Sequence, residues 1–185
     1  CSVLLSNEQF IFNVTEIEIS ENGNQINGYK GGTVTTEEGD KIIAKEFSYD
    51  KIKNILEAEG TVKIVNKVND LIIFTDRAIY FKNDEKVITK GNSKAVDKKN
   101  TITANEFYYN KIENTLNAKK NVKIIDIEKD ITINADDITY FKNDEKVITK
   151  GITTALIENK YNFESSDVSY FRASSDLSSQ MKTSV

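Results

Sequence analysis

Few residues in this sequence could carry covalent chemistry. The carboxylates come closest: Asp136-Asp137 and Asp84-Glu85 are adjacent acidic pairs, the residue type that performs acid–base hydrolysis in polysaccharide-cleaving β-helices. Neighbours on a strand point to opposite faces, so Asp136 and Asp137 would not converge on one bond. Asp84-Glu85 recurs unchanged as Asp144-Glu145 inside polar turn sequences and reads as a solvated loop. A calcium-binding β-roll would need repeated Gly-Gly-x-Gly-x-Asp, and Gly31-Gly32 occurs once. The 185 residues include no His and one Cys, which removes the commonest general base, Cys/His zinc clusters and an internal disulfide. No enzyme activity, cofactor or metal is expected. The net charge of −4 offers no basic excess to nucleic acid.

The elements behind these residues are set by a repeat. Tyr80 to Gly91 recurs without change as Tyr140 to Gly151, 60 residues later. Within that unit lies a shorter one: Tyr49, Tyr80, Tyr109, Tyr140 and Tyr170 are spaced by 31, 29, 31 and 30. Aligned on these tyrosines, the columns share chemistry. Five residues earlier stand Ala44, Thr75, Ala104, Ala135 and Ser165; two earlier, Phe47, Ala78, Phe107, Ile138 and Val168. Seven later come Leu56, Val87, Leu116, Val147 and Leu177, and eleven later Gly60, Gly91, Lys120 and Gly151, the lysine being the one departure. A register kept over so many copies means that successive units stack in space.

The units are strands. Leu56, Ala58, Val62 and Ile64 share one parity while Glu57, Glu59 and Lys63 take the other, and Leu116, Ala118, Val122 and Ile124 repeat this. The parity slips between Ala44 and Phe47, as at a β-bulge. A short polar turn follows each of Tyr49, Tyr80 and Tyr109. The expected fold is all-β: an elongated body of stacked ~30-residue repeats, with two layers and one shared apolar interior. The residues assigned to its inner wall are Ile42, Ala44, Phe47, Tyr49, Leu56, Val62, Ile64, Ile73, Tyr80, Val87, Ile102, Phe107, Tyr109, Leu116, Val122, Ile124, Ile133, Ile138, Tyr140 and Val147. That interior is either a closed core or a slot splayed open for acyl chains, and periodicity does not choose between them. The ends of a stacked sheet offer unpaired backbone groups, and the sequence contains no Pro to blunt them, so head-to-tail strand docking is expected.

The phrases from Ile42 to Asp50 and from Leu56 to Ile64, with a second good copy from Ala104 to Ile124, resemble the OstA-like repeat of the periplasmic lipopolysaccharide-transport proteins. Roughly residues 12–177 carry the likeness. It is closest in kind to the N-terminal domain of the outer-membrane assembly protein LptD, with LptA next. The resemblance implies a taco-shaped antiparallel β-jellyroll with lipopolysaccharide acyl chains along its interior, so that the wall residues above become a lipid groove. It also implies docking to other jellyroll components, an outer-membrane barrel later in the same chain, and a periplasmic site at the outer membrane of a Gram-negative cell. A structural or adhesive β-solenoid with a closed core is the alternative.

At the ends, residues 1–6 (Cys1 to Ser6) read as the remnant of a secretory signal, against a lipidated Cys1 or a first strand. The repeat domain is placed at 7–177, and 178–185 is a truncated continuation or linker of a longer protein.

Overall fold

The structure is a computed structural model that describes residues 10–179; residues 1–6, read above as a signal remnant, and residues 7–9 and 180–185 lie outside them. Fifteen strands follow one another: β1 (Phe10–Ser20), β2 (Gln25–Thr36), β3 (Lys41–Ala44), β4 (Glu46–Asp50), β5 (Ile55–Asn66), β6 (Leu71–Phe81), β7 (Lys86–Val96), β8 (Asn100–Asn110), β9 (Thr115–Asp126), β10 (Ile131–Phe141), β11 (Lys146–Lys150), β12 (Ile152–Ile157), β13 (Tyr161–Ser166), β14 (Ser169–Phe171) and β15 (Asp176–Ser178). All belong to one antiparallel sheet; the long strands pair with their sequence neighbours, while the short β4, β12 and β14 pair back to β2, β10 and β11. Among the described residues no helix is long and apolar enough to cross a membrane.

The ~30-residue period of the sequence is a pair of long strands. Each long strand is interrupted near its middle, where alternating strands place two residues against one of the neighbour. Gly60 and Thr61 oppose Asp76, Gly91 and Asn92 oppose Asp76 and Asn105, and Lys120 and Asn121 oppose Asn105 and Asp136. The interruption expected between Ala44 and Phe47 is there: Lys45 separates β3 from β4. These bulges line up across the sheet as a crease and divide it into two walls. The inserted pairs have positive φ, with Gly91 at +80° and Asn92 at +43°. The glycine column of the sequence is therefore the crease. Gly91 has a second constraint, because a Cβ there would sit 2.5 Å from Asp76 Oδ2. Lys120 adopts the same left-handed conformation (φ +65°) at a conformational cost that glycine avoids.

Period-two burial then sends one parity of every strand between the walls. All twenty residues assigned to the inner wall are there, each at most 6% exposed and within one apolar cluster. Sequence reasoning missed the start of the cluster: Phe10, Phe12, Val14, Ile26 and Val34 are equally buried. Phe10 crosses from one wall to meet Tyr49 of the other edge-on, ring centroids 4.8 Å apart, and Tyr80 at 5.8 Å.

Candidate functional site

The site suggested by the repeat is the space between the walls. In this structure the side chains fill it. The interior hollow bounded by Ile42, Ile64, Leu71, Ile73, Tyr80, Val87 and Tyr109 amounts to about 10 Å3. The larger hollow of about 540 Å3 lies outside, open to solvent beside the crease at Asn121, Asn134 and Asp136. Of the two states the sequence allowed, the closed one is observed.

Opposite the crease, the turns form two lips. One carries the turns after the tyrosines (residues 51–54, 82–85, 111–114, 142–145 and 172–175); the other carries residues 37–40, 67–70, 97–99, 127–130 and 158–160. Among the described residues, backbone hydrogen bonds run along each lip, as from Lys111 N to Glu85 O and from Ile127 N to Lys99 O, and every bond crossing the mouth involves a side chain.

These side-chain bonds recur along the mouth; all but those of Lys111 with Glu85 and of Arg172 with Glu145 run from lip to lip. Lys111 Nζ lies 2.8 Å from Asp40 Oδ2 and 2.6 Å from Glu85 Oε2. Lys82 Nζ binds Glu38 at 2.5 Å. Asn69 Nδ2 donates to the Tyr109 hydroxyl at 2.8 Å. Asn100 Nδ2 donates to the Tyr140 hydroxyl at 3.0 Å, and Lys142 Nζ lies 3.2 Å from Asp97. Lys99 pairs with Glu145. Arg172 pairs with Asp126 at 2.9 Å and with Glu128 and Glu145. The tyrosine column thus has two roles, its rings in the interior and its hydroxyls at the mouth.

One reading of the sequence needs correction here. Glu85 and Glu145, expected in a solvated loop, accept hydrogen bonds at the mouth: Glu85 from Tyr80, Lys82 and Lys111, Glu145 from Lys99 and Arg172. The cations were missed although a signal existed, since Lys82, Lys111, Lys142 and Arg172 each follow a repeat tyrosine by two residues. Asp136 is a bulge residue in β10, while Asp137 pairs with Lys119 and Lys150, so that carboxylate pair forms no site.

The mouth shifts its ionisations in the direction that keeps it charged. Burial alone raises the Glu38 carboxyl; hydrogen bonds from Lys82, its own backbone and Thr36 outweigh this and hold it at about 2. Burial disfavours the Lys111 ammonium, yet Asp40 and Glu85 raise it above the usual lysine value. Burial pushes the Tyr109 phenol up to about 12. Two buried mouth atoms make no hydrogen bond: Asp40 Oδ1, and Arg172 Nε, which lies 2.9 Å from Asp126 Oδ2. Among the described residues no cluster of three or more acidic side chains is arranged to hold a metal.

No family model and no curated protein matches the sequence. A solved structure does match the creased sheet. It is LptH from Pseudomonas aeruginosa, described as the LptA-homologous periplasmic component of the conserved lipopolysaccharide transport device. The TM-score is 0.56 at 15% identity, covering 62% of this chain and 83% of that one. The fold is an LptA-like β-jellyroll. Among the described residues the jellyroll leaves strand edges at its two ends: β1 pairs only with β2, and at the far end β13 and β15 end the two walls separately. On β1, Ile11, Ile17 and Ile19 are exposed.

Proposed function

We propose that this chain is a non-catalytic carrier of lipopolysaccharide in the periplasm, taking acyl chains between its walls and leaving sugars and phosphates outside in water. The observation that carries the reading is an apolar interior, continuous along an LptA-like jellyroll, whose walls share a crease and are otherwise joined across the mouth through side chains. Magnitudes favour it. An acyl chain of about ten methylenes contributes roughly 8 kcal/mol on leaving water. A partly exposed pair such as Lys99–Glu145 contributes about 0–1 kcal/mol, so tails that replace wall-to-wall packing can offset the opening of the mouth.

In this reading the carrier extends by docking strand to strand, β1 of one unit against the far end of another LptA-like unit. It works at the outer-membrane side of the periplasm, as an LptD-type N-terminal domain or as an LptA-type subunit. A barrel of alternating amphipathic strands in the same polypeptide would mark the LptD type.

A structural or adhesive solenoid with a permanently closed core is the second reading, favoured by the near-complete burial of the twenty wall residues. Photo-crosslinking separates the two. A benzophenone amino acid at Phe47, Leu56 or Phe107 should label lipopolysaccharide in the carrier. Labelling confined to probes on outward residues such as Tyr108 would remove the carrier reading.

A further inference from the structure

Two hollows meet at one ion pair. Outside, at the mouth, a hollow of about 300 Å3 is lined by Glu38, Asp40, Asn69, Glu85 and Lys111, with Val68 on one lip and Ile112 on the other. Both apolar side chains stand about three-quarters exposed. Inside lies the small apolar hollow between Ile42, Ile73, Tyr80 and Val87, and its remaining lining includes Asp40 and Lys111 again. The ion pair, with Asn66 bonded to Asp40 beside it, therefore lines both the outer space and the inner one. Further along the mouth, Lys142 and Arg172 stand one and two repeats after Lys111 and pair with Asp97 and Asp126.

We propose that the Asp40–Lys111 pair is the gate through which an acyl chain passes from the mouth hollow into the interior, with the Asp97–Lys142 and Asp126–Arg172 pairs acting behind it as a latch that opens in series. This rests on the carrier reading and adds where loading starts and what resists it.

Three features fit a gate better than a fixed strut. The pair links lips whose backbones are not bonded to each other, so its release costs the sheet no ladder hydrogen bond. Asp40 is incompletely satisfied when closed, because Oδ2 accepts from Lys111 and Asn66 while the buried Oδ1 has no partner. Opening would hydrate that oxygen. Val68 and Ile112 offer an apolar landing directly outside, in the hollow that borders the pair.

The test uses the full chain with Cys1→Ser, so that introduced cysteines are the only ones. Asp40→Cys with Lys111→Cys, joined by a short bismaleimide, locks the gate; the unjoined form is its control. Asp40→Asn with Lys111→Gln weakens it, and Asp40→Lys with Lys111→Asp restores an ion pair. The probes are the neutral dye N-phenylnaphthylamine and lipopolysaccharide. Locking should slow loading of both by about tenfold or more, weakening should speed it by about tenfold, and the exchange should return it toward the original rate. Equal loading by locked and unjoined forms overturns the gate and leaves the carrier reading standing. Dye that loads through the unlocked gate while no form retains lipopolysaccharide overturns the carrier reading and leaves the gate. Failure of every form to load either probe overturns both. Should the variants not fold, Val68→Ser with Ile112→Ser, both at exposed positions, decides: removing the apolar landing should slow dye loading, and unchanged loading overturns the gate.

Discussion

The Tyr170 hydroxyl donates a 2.9 Å hydrogen bond to Asp126, from one lip of the jellyroll to the other across 44 residues of sequence. Its ring belongs to the same interior as Tyr140 and Phe107. One residue thus joins core packing to closure of the mouth. Tyr170→Phe keeps the ring and removes the bond, while Asp126 keeps Arg172 at 2.9 Å. It should lower unfolding stability in urea by about 1.5–3 kcal/mol without changing the m-value.

The crease makes a prediction of opposite sign at two equivalent positions. Gly91→Ala forces a Cβ against Asp76 at a φ of +80° and should cost about 1–3 kcal/mol. Lys120→Gly occupies the same place one repeat later with the residue the conformation favours. It should leave stability unchanged or raise it by up to about 1 kcal/mol, as thermal melts will report.

Acid should loosen the mouth before the walls. The Glu38, Glu85 and Glu145 carboxyls are held below their ordinary value of 4.5, Glu38 at about 2. A lowered folded-state value means that each contribution is complete above about pH 4.5 and is lost as pH falls through the lowered value. Stability should fall between pH 4.5 and about 2. At the alkaline end Tyr109 is raised from 10.0 to about 12, so its contribution is complete below pH 10 and declines toward pH 12. Chemical unfolding across pH checks both windows; an unchanged midpoint from pH 5 to 2 would refute the acid half.

Docking through β1 should be sensitive to charge. Ile17→Lys with Ile19→Lys places two ammonium groups on the exposed face of an edge strand. Sedimentation equilibrium of the unsubstituted chain should show concentration-dependent association, and this variant should stay monomeric with an unchanged melting temperature.

Much of this fold was legible because strand burial has period two and the repeat displays that period several times over. The inner positions Phe47, Leu56, Val87 and Ile124 could be assigned from their parity alone, and the structure buries each of them. The first strands were harder to read: Phe10, Phe12 and Val34 lie outside the well-aligned copies, with no matching residues to reveal their side of the sheet. The mouth was harder still. Lys111 and Asp40 are 71 residues apart, and each in isolation looks like an ordinary turn residue.

The sequence by itself determined the strand pattern, the inward-facing set of the aligned copies and the break in alternation between Ala44 and Phe47. Those are consequences of local conformation and alternation, which neighbouring residues settle among themselves. Only the tertiary structure decided that the walls close on each other and that Lys82, Lys111, Lys142 and Arg172 face carboxylates rather than water. That outcome depends on how far the sheet folds about its crease, a distance between lips that no local pattern encodes.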